Sequence, residues 1–160
     1  MKTKNIVLAA LTSAATIASI NVMAAGNIQV EESVQLTVKP SAVWALVGDY
    51  NGLYRWHPAV TTSERNDKTR LLTLGNGAQI TETLLDLDNA QHSYRYAIEQ
   101  SPLPVADYES TIQVSSDGKG GSTVTWSSSF NAAGAPDKEA ADVIRGVYQA
   151  GLANLEKLYN

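Results

Sequence analysis

Glu82 carries the most versatile chemistry in this chain. Ile80, Glu82 and Leu84 alternate with polar residues, so all three fall on one face of a strand. A carboxylate on an apolar face needs a donor beside it, or its pKa rises. Either condition suits a group that moves a proton or grips a ligand. If the strand twists outward instead, Glu82 is merely solvated, and both readings stand. His57 lies between Trp56 and Pro58. As a general base it would need an orienting carboxylate and a substrate proton in reach; otherwise it is structural. Glu82 and His57 are therefore the catalytic candidates, and both are weak ones.

Tyr94 and Tyr96 share one strand face, and Tyr108 and Trp126 lie on inward faces of later strands. Such a wall suits an apolar ligand with few polar groups, or it simply fills a core. Other patterns carry no chemistry. Ser116-Asp117-Gly118-Lys119 spells S-x-x-K, but in a Gly-rich turn rather than on a helix. Gly75-x-Gly77 lacks the third glycine and the following helix of a dinucleotide site. Asp86 and Asp88 read as solvated turn acids, and His92 sits in a turn region. With two histidines, no cysteine and no HExxH or HxxxH pair, neither a metal centre nor a cofactor is expected.

The elements that must position these residues follow from periodicity. Residues 28–38 alternate as a long half-buried strand, interrupted by Glu32 on its apolar face. Pro40 opens a short helix through Val43, Trp44, Leu46 and Val47, and Gly48 stops it. A second short helix covers 49–56, ended by Pro58. Six strands follow, over 60–66, 70–74, 79–87, 92–99, 108–114 and 123–130. Gly75-Asn76-Gly77 and 117–121 mark tight turns between them. Asp137 can cap a final helix over 138–158, with an apolar stripe from Ala141 and Ile144 through Tyr148 to Leu155 and Leu158. Gly146 and Gly151 inside that helix suggest close approach to a sheet or space left for something else. Seven antiparallel strands should curl around the helix, giving an α+β fold.

The chain has 160 residues, 44% hydrophobic, with a net charge of −4. It begins with a basic stretch (Lys2, Lys4), an uncharged apolar run from Ile6 to Ile20, and Val22-Met23-Ala24. This is the pattern of a secretory signal peptide, cleaved after Ala24, with Ala25 the neighbouring choice. Residues 25–160 would then form one domain with no stable membrane anchor, periplasmic or secreted. Without residues 1–24 the chain has 136 residues, ten basic and sixteen acidic, a net charge of −6. That balance argues against a nucleic-acid partner.

The element order, with "PSAVWALVGDY" at 40–50 and "LYRWHP" at 53–58, resembles the START-like (SRPBCC) superfamily of helix-grip proteins. Ile80–Leu84, Tyr94-Arg95-Tyr96, Pro102–Val105 and Gly121–Trp126 extend the likeness over residues 28–158. It is most similar to the polyketide cyclase/dehydratase-like branch, including exported members linked to methanol oxidation. The resemblance implies a curved seven-stranded antiparallel sheet wrapped around a long C-terminal helix, with two short helices after the first strand. It implies an apolar cavity between sheet and helix, opening near the short helices, for a lipid, polyketide or aromatic compound. In related members a Glu at the position of Glu82 contacts ligand through water, and a pocket-mouth loop falls at Leu103 and Val105. Ile144 and Tyr148 would line the far wall, and Trp56 the mouth. The expected function is binding of a hydrophobic small molecule rather than catalysis. A cyclase/dehydratase-like enzyme, or an accessory protein with a periplasmic oxidoreductase partner, are the alternatives.

Overall fold

The structure is a computed structural model that describes residues 26–160. The signal peptide expected over 1–24 lies outside the described residues. Nine elements and one 3-10 helix follow in chain order: β1 (Ile28–Leu36), α1 (Pro40–Val47), a 3-10 helix (Tyr50–Arg55), β2 (Val60–Asn66), β3 (Thr69–Leu74), β4 (Gln79–Asp88), β5 (Ser93–Gln100), β6 (Val105–Ser116), β7 (Ser122–Ala132) and α2 (Asp137–Tyr159). The strands form one antiparallel sheet in the order β1-β7-β6-β5-β4-β3-β2. Every neighbour but β1–β7 is joined by a short connection, so register is set by local turns and by which residues must face inward. The fold is α+β and helix-grip, as expected.

The inner face reads across the sheet in registered rows. Leu72 lies opposite Ile80, Glu82 opposite Ile98, Leu84 opposite Tyr96, and Ile112 opposite Trp126. Helix α2 covers this face with Ala140, Ile144, Tyr148, Gly151, Leu152 and Leu155, all buried. Leu158, expected in the same stripe, is 53% exposed, while Leu155 and Tyr159 take the inward positions of that last turn. The C-terminal end of α2 is pinned to the segment after β1: Thr37 Oγ1 donates to the Tyr159 carbonyl at 3.0 Å, and Thr37 N–H to Asn160 Oδ1 at 3.0 Å. Glu32, the break in the apolar face of β1, meets Arg145 of α2 at 3.2 Å, which explains a charge on that face.

Two local expectations change, and a third, the stop at Gly48, holds with a different geometry. Asp137 does not cap α2. Pro136 holds the N-cap position without a side-chain bond, and Asp137 is the first helical residue, where its charge favours the helix dipole. Gly48 closes α1 in a right-handed conformation, φ −71°. It is glycine because a Cβ would collide with the Trp44 indole. The segment after it is a 3-10 helix, capped by Asp49 Oδ1 accepting from Asn51 N–H at 3.1 Å.

The two glycines of α2 have opposite reasons. A Cβ on Gly151 would stand 2.7 Å from the His57 ring, 3.0 Å from Trp56 and 3.1 Å from Trp126. Helix and sheet therefore approach too closely there for any side chain. A Cβ on Gly146 would meet nothing within 4 Å. Gly146→Ala should stabilise the protein by about 0.5–1 kcal/mol through helix propensity. Gly151→Ala should destabilise it by about 1–3 kcal/mol by overpacking. Urea denaturation of the two variants checks the pair of signs.

Candidate functional site

Among the described residues the sheet's inner face holds one fully buried ion pair, within the sheet itself. Arg70 on β3 lies directly across from Glu82 on β4, and the two are 0% and 4% exposed. Arg70 Nε donates to Glu82 Oε2 at 2.7 Å. Nη2 lies 2.6 Å from the same oxygen, but off the hydrogen-bonding direction. Nη1 donates to the carbonyl of Tyr50, and the guanidinium sits 4.0 Å from the centre of the Tyr50 ring. Tyr50 is delivered by the 3-10 helix, which Ser63 Oγ ties to β2 by donating to Asn51 Oδ1 at 2.7 Å. Burial raises the Glu82 carboxyl above its ordinary pKa, and Arg70 offsets part of that rise. The nearby carboxylate holds Arg70 firmly cationic despite burial. An arginine cannot shed its proton in a protein, so this site needs its anion.

Next to the pair is a hydroxyl network around Trp126. The indole N–H is shared between Ser110 Oγ at 3.0 Å and the Tyr96 hydroxyl at 3.1 Å. Ser110 donates to the Ser127 carbonyl at 2.8 Å and lies 3.2 Å from the Tyr148 hydroxyl. Tyr148 in turn bonds Tyr108. The Tyr148 ring stacks on Trp126 at 4.4 Å and 16°. The network pins α2 to β6 and β7, and burial holds its phenols above their ordinary pKa, so they stay protonated.

His57 is occupied at both nitrogens. Nε2 donates to the Val147 carbonyl of α2 at 2.9 Å, and Nδ1 accepts from Ala59 N–H at 3.3 Å. Both partners are backbone, which fixes one neutral tautomer. Burial lowers the imidazole pKa from its ordinary 6.5, against the pull of the Val147 carbonyl. A base poised for catalysis would keep one nitrogen for substrate; this one braces α2 instead. Among the described residues no three His, Asp or Glu side chains converge where a metal could sit.

Between these groups lies a cavity of about 70 Å³. Its inner part is formed by Glu82, Tyr96, Tyr108, Trp126, Leu72 and Ile80, and Leu53, His57, Val60 and Ile144 close its walls. At the mouth stand Ala59, Leu74, Ile98, Leu103 and Val147, all apolar and all partly or fully exposed. Of the residues singled out in the sequence, Glu82, Tyr96, Leu103, Tyr108, Trp126, Ile144 and His57 meet here. Four do not. Trp56 is buried behind the wall, edge-on to Trp126 at 5.5 Å, with its carbonyl accepting from Asn154. Tyr94 packs against Tyr50 and Trp44, towards α1. Tyr148 lies behind Trp126, and Val105 packs on the core beside the mouth loop without reaching the cavity. The sequence reading missed Arg70, though a buried Glu82 calls for a cation and strand alternation puts Arg70 on the same face as Leu72. It also missed Ser110, hidden by a small polar side chain among larger neighbours.

Breaking the ion pair from one side strands the other charge. Arg70→Met or Glu82→Gln alone should cost about 3–5 kcal/mol, while Arg70→Met with Glu82→Leu should recover most of that. Urea unfolding of the three variants gives the comparison. His57 sets a pH slope. Its folded pKa is depressed, so the unfolded chain binds a proton that the folded chain refuses. Stability should therefore fall as pH drops below 6.5, and His57→Gln should flatten that part of the curve.

A family model described as "Polyketide cyclase / dehydrase and lipid transport" matches residues 27–160. A search of curated proteins finds no match. Among solved structures, the protein XoxI of Bacillus cereus is 31% identical, with TM-score 0.80 over 82% of this chain and 94% of its own. An uncharacterised protein of Bacillus thuringiensis is 30% identical, with TM-score 0.79 over 82% and 98%. A Thermobifida fusca protein is 26% identical, with TM-score 0.73 over 82% and 92%. Sheet order, helix grip, cavity and family match agree: the chain belongs to the polyketide cyclase/dehydrase and lipid transport family.

Proposed function

We propose that this protein is an exported container for a small apolar or amphipathic molecule, held between the sheet and α2. The observation that carries this reading is the cavity itself, an almost wholly apolar space with an apolar mouth, and the family's description, which includes lipid transport, supports it. Proton transfer fits the geometry less well. His57 has both nitrogens bonded to backbone, and Glu82 is bound to Arg70. Export rests on the basic and apolar leader over 1–24, and would place the protein in the periplasm or outside the cell.

The volume limits what fits. An engineered cavity of about 150 Å³ holds benzene, and drug-sized ligands fill about 300–1,000 Å³. At about 70 Å³ the closed cavity accepts a small group, not a whole polyketide or acyl chain. A larger ligand enters by parting the mouth. That opening is inexpensive because Leu74, Ile98, Leu103 and Val147 meet there through apolar side chains. The mouth loop's own bonds, Leu103 N–H to Ser101 Oγ and Ala133 N–H to the Pro104 carbonyl, lie to one side.

Toluene should bind saturably, with amide shifts centred on Leu72, Ile80 and Ile144 in a two-dimensional NMR titration. Ile80→Phe fills the space, so it should weaken toluene binding at least about tenfold while the thermal midpoint stays within a few degrees. Saturable binding that Ile80→Phe leaves untouched would place the ligand elsewhere.

A further inference from the structure

Resting on the reading of this cavity as a ligand site, we propose that it selects neutral ligands headed by a hydroxyl group. These are alcohols or phenols with an apolar body, preferred over carboxylates and over isosteres without the hydroxyl. Both Arg70 contacts fall on Oε2 of Glu82. Oε1 accepts nothing from the described residues, yet is not sealed away from space, and Glu82 lines the cavity. The site therefore offers one uncommitted acceptor.

It also offers one loosely committed donor. Ser110 gives its proton to the Ser127 carbonyl and uses its two lone pairs for Trp126 N–H and Tyr148 O–H. Tyr148, having donated to Ser110, accepts from Tyr108. Tyr96 accepts from Trp126, and its own proton lies towards Ser110, whose lone pairs it must share with Trp126 N–H and Tyr148 O–H. The phenol proton of Tyr96 thus competes for a crowded acceptor and is the one best able to turn to a ligand, and Tyr96 lines the same cavity as Glu82. His57 adds neither donor nor acceptor, since both its nitrogens are engaged.

A hydroxyl donates one bond and accepts another, so it satisfies both groups at once. A carboxylate would face the Glu82 carboxylate. It could not reach Arg70, which is fully buried under Tyr50 and Glu82. A chloroalkane or alkane would leave Oε1 unpaired in an apolar space and the Tyr96 proton on its crowded acceptor, which is costly.

Calorimetric titration with 1-hexanol, 1-chlorohexane and sodium hexanoate at neutral pH tests this. 1-Hexanol should bind at least about fivefold tighter than 1-chlorohexane, the contribution of a net hydrogen bond, and hexanoate should show no saturable binding. Tyr96→Phe, which leaves Trp126 its bond to Ser110, should narrow the gap between 1-hexanol and 1-chlorohexane. Equal binding of 1-hexanol and 1-chlorohexane, tight binding of hexanoate, or a gap unmoved by Tyr96→Phe would each overturn the hydroxyl assignment while leaving the container intact. Failure of all three compounds to bind would overturn the container reading as well.

Discussion

A guanidinium sealed inside the sheet's inner face constrains everything around it. Arg70 is 0% exposed and cannot become neutral, so an anion must sit beside it. Glu82 meets that need only in one register of β3 against β4, because a one-residue slip would turn one partner outward. The remaining faces of the guanidinium are covered by the ring and carbonyl of Tyr50, which brings the 3-10 helix down onto the sheet. One charge thus fixes a hairpin register, the position of a helix and the orientation of a carboxylate. It also commits one oxygen of that carboxylate, on a residue that lines the cavity.

The space next to the pair survives because its surroundings are rigid. Trp126 is held by Ser110, Tyr96 and a stacked Tyr148, so it does not relax into the cavity. His57 and Trp56 wedge against α2 at Gly151, and His57 hydrogen-bonds the Val147 carbonyl. Together they set how far α2 can settle onto the sheet. Most of the groups with chemical potential, His57 and Arg70 foremost, are spent on architecture. That division favours holding a ligand over transforming one, and leaves the mouth, built from apolar side chains, as the part free to move.

Much of the fold was legible because alternation and helical periodicity are local signals. All seven strands and α2 fall within a few residues of where the pattern puts them. Strand parity put Tyr96, Tyr108 and Trp126 inward, and put Glu82 on the same side as Ile80 and Leu84 while leaving a solvated Glu82 open. What parity cannot tell is depth along a face. Tyr94 and Tyr96 share a face, yet only Tyr96 reaches the cavity, while Tyr94 is taken up by Tyr50 and Trp44. Trp56 looked like a mouth residue and is a brace, because the 3-10 helix turns it back towards α2. Arg70 was invisible as a site residue because an arginine near a turn reads as solvated until its cross-strand partner is known. The two glycines of α2 looked alike in sequence, and only the packing separates the one that must be small from the one that is free.

The central claim is that the cavity is a container with an occupant. Native mass spectrometry of the protein purified from its own host, without organic solvent, tests it most directly. The account predicts a population heavier than the bare chain by one small neutral molecule, stripped by organic extraction and restored on adding the extract back. A chain that shows only its bare mass before extraction, and gains nothing when apolar extract is returned, would contradict it.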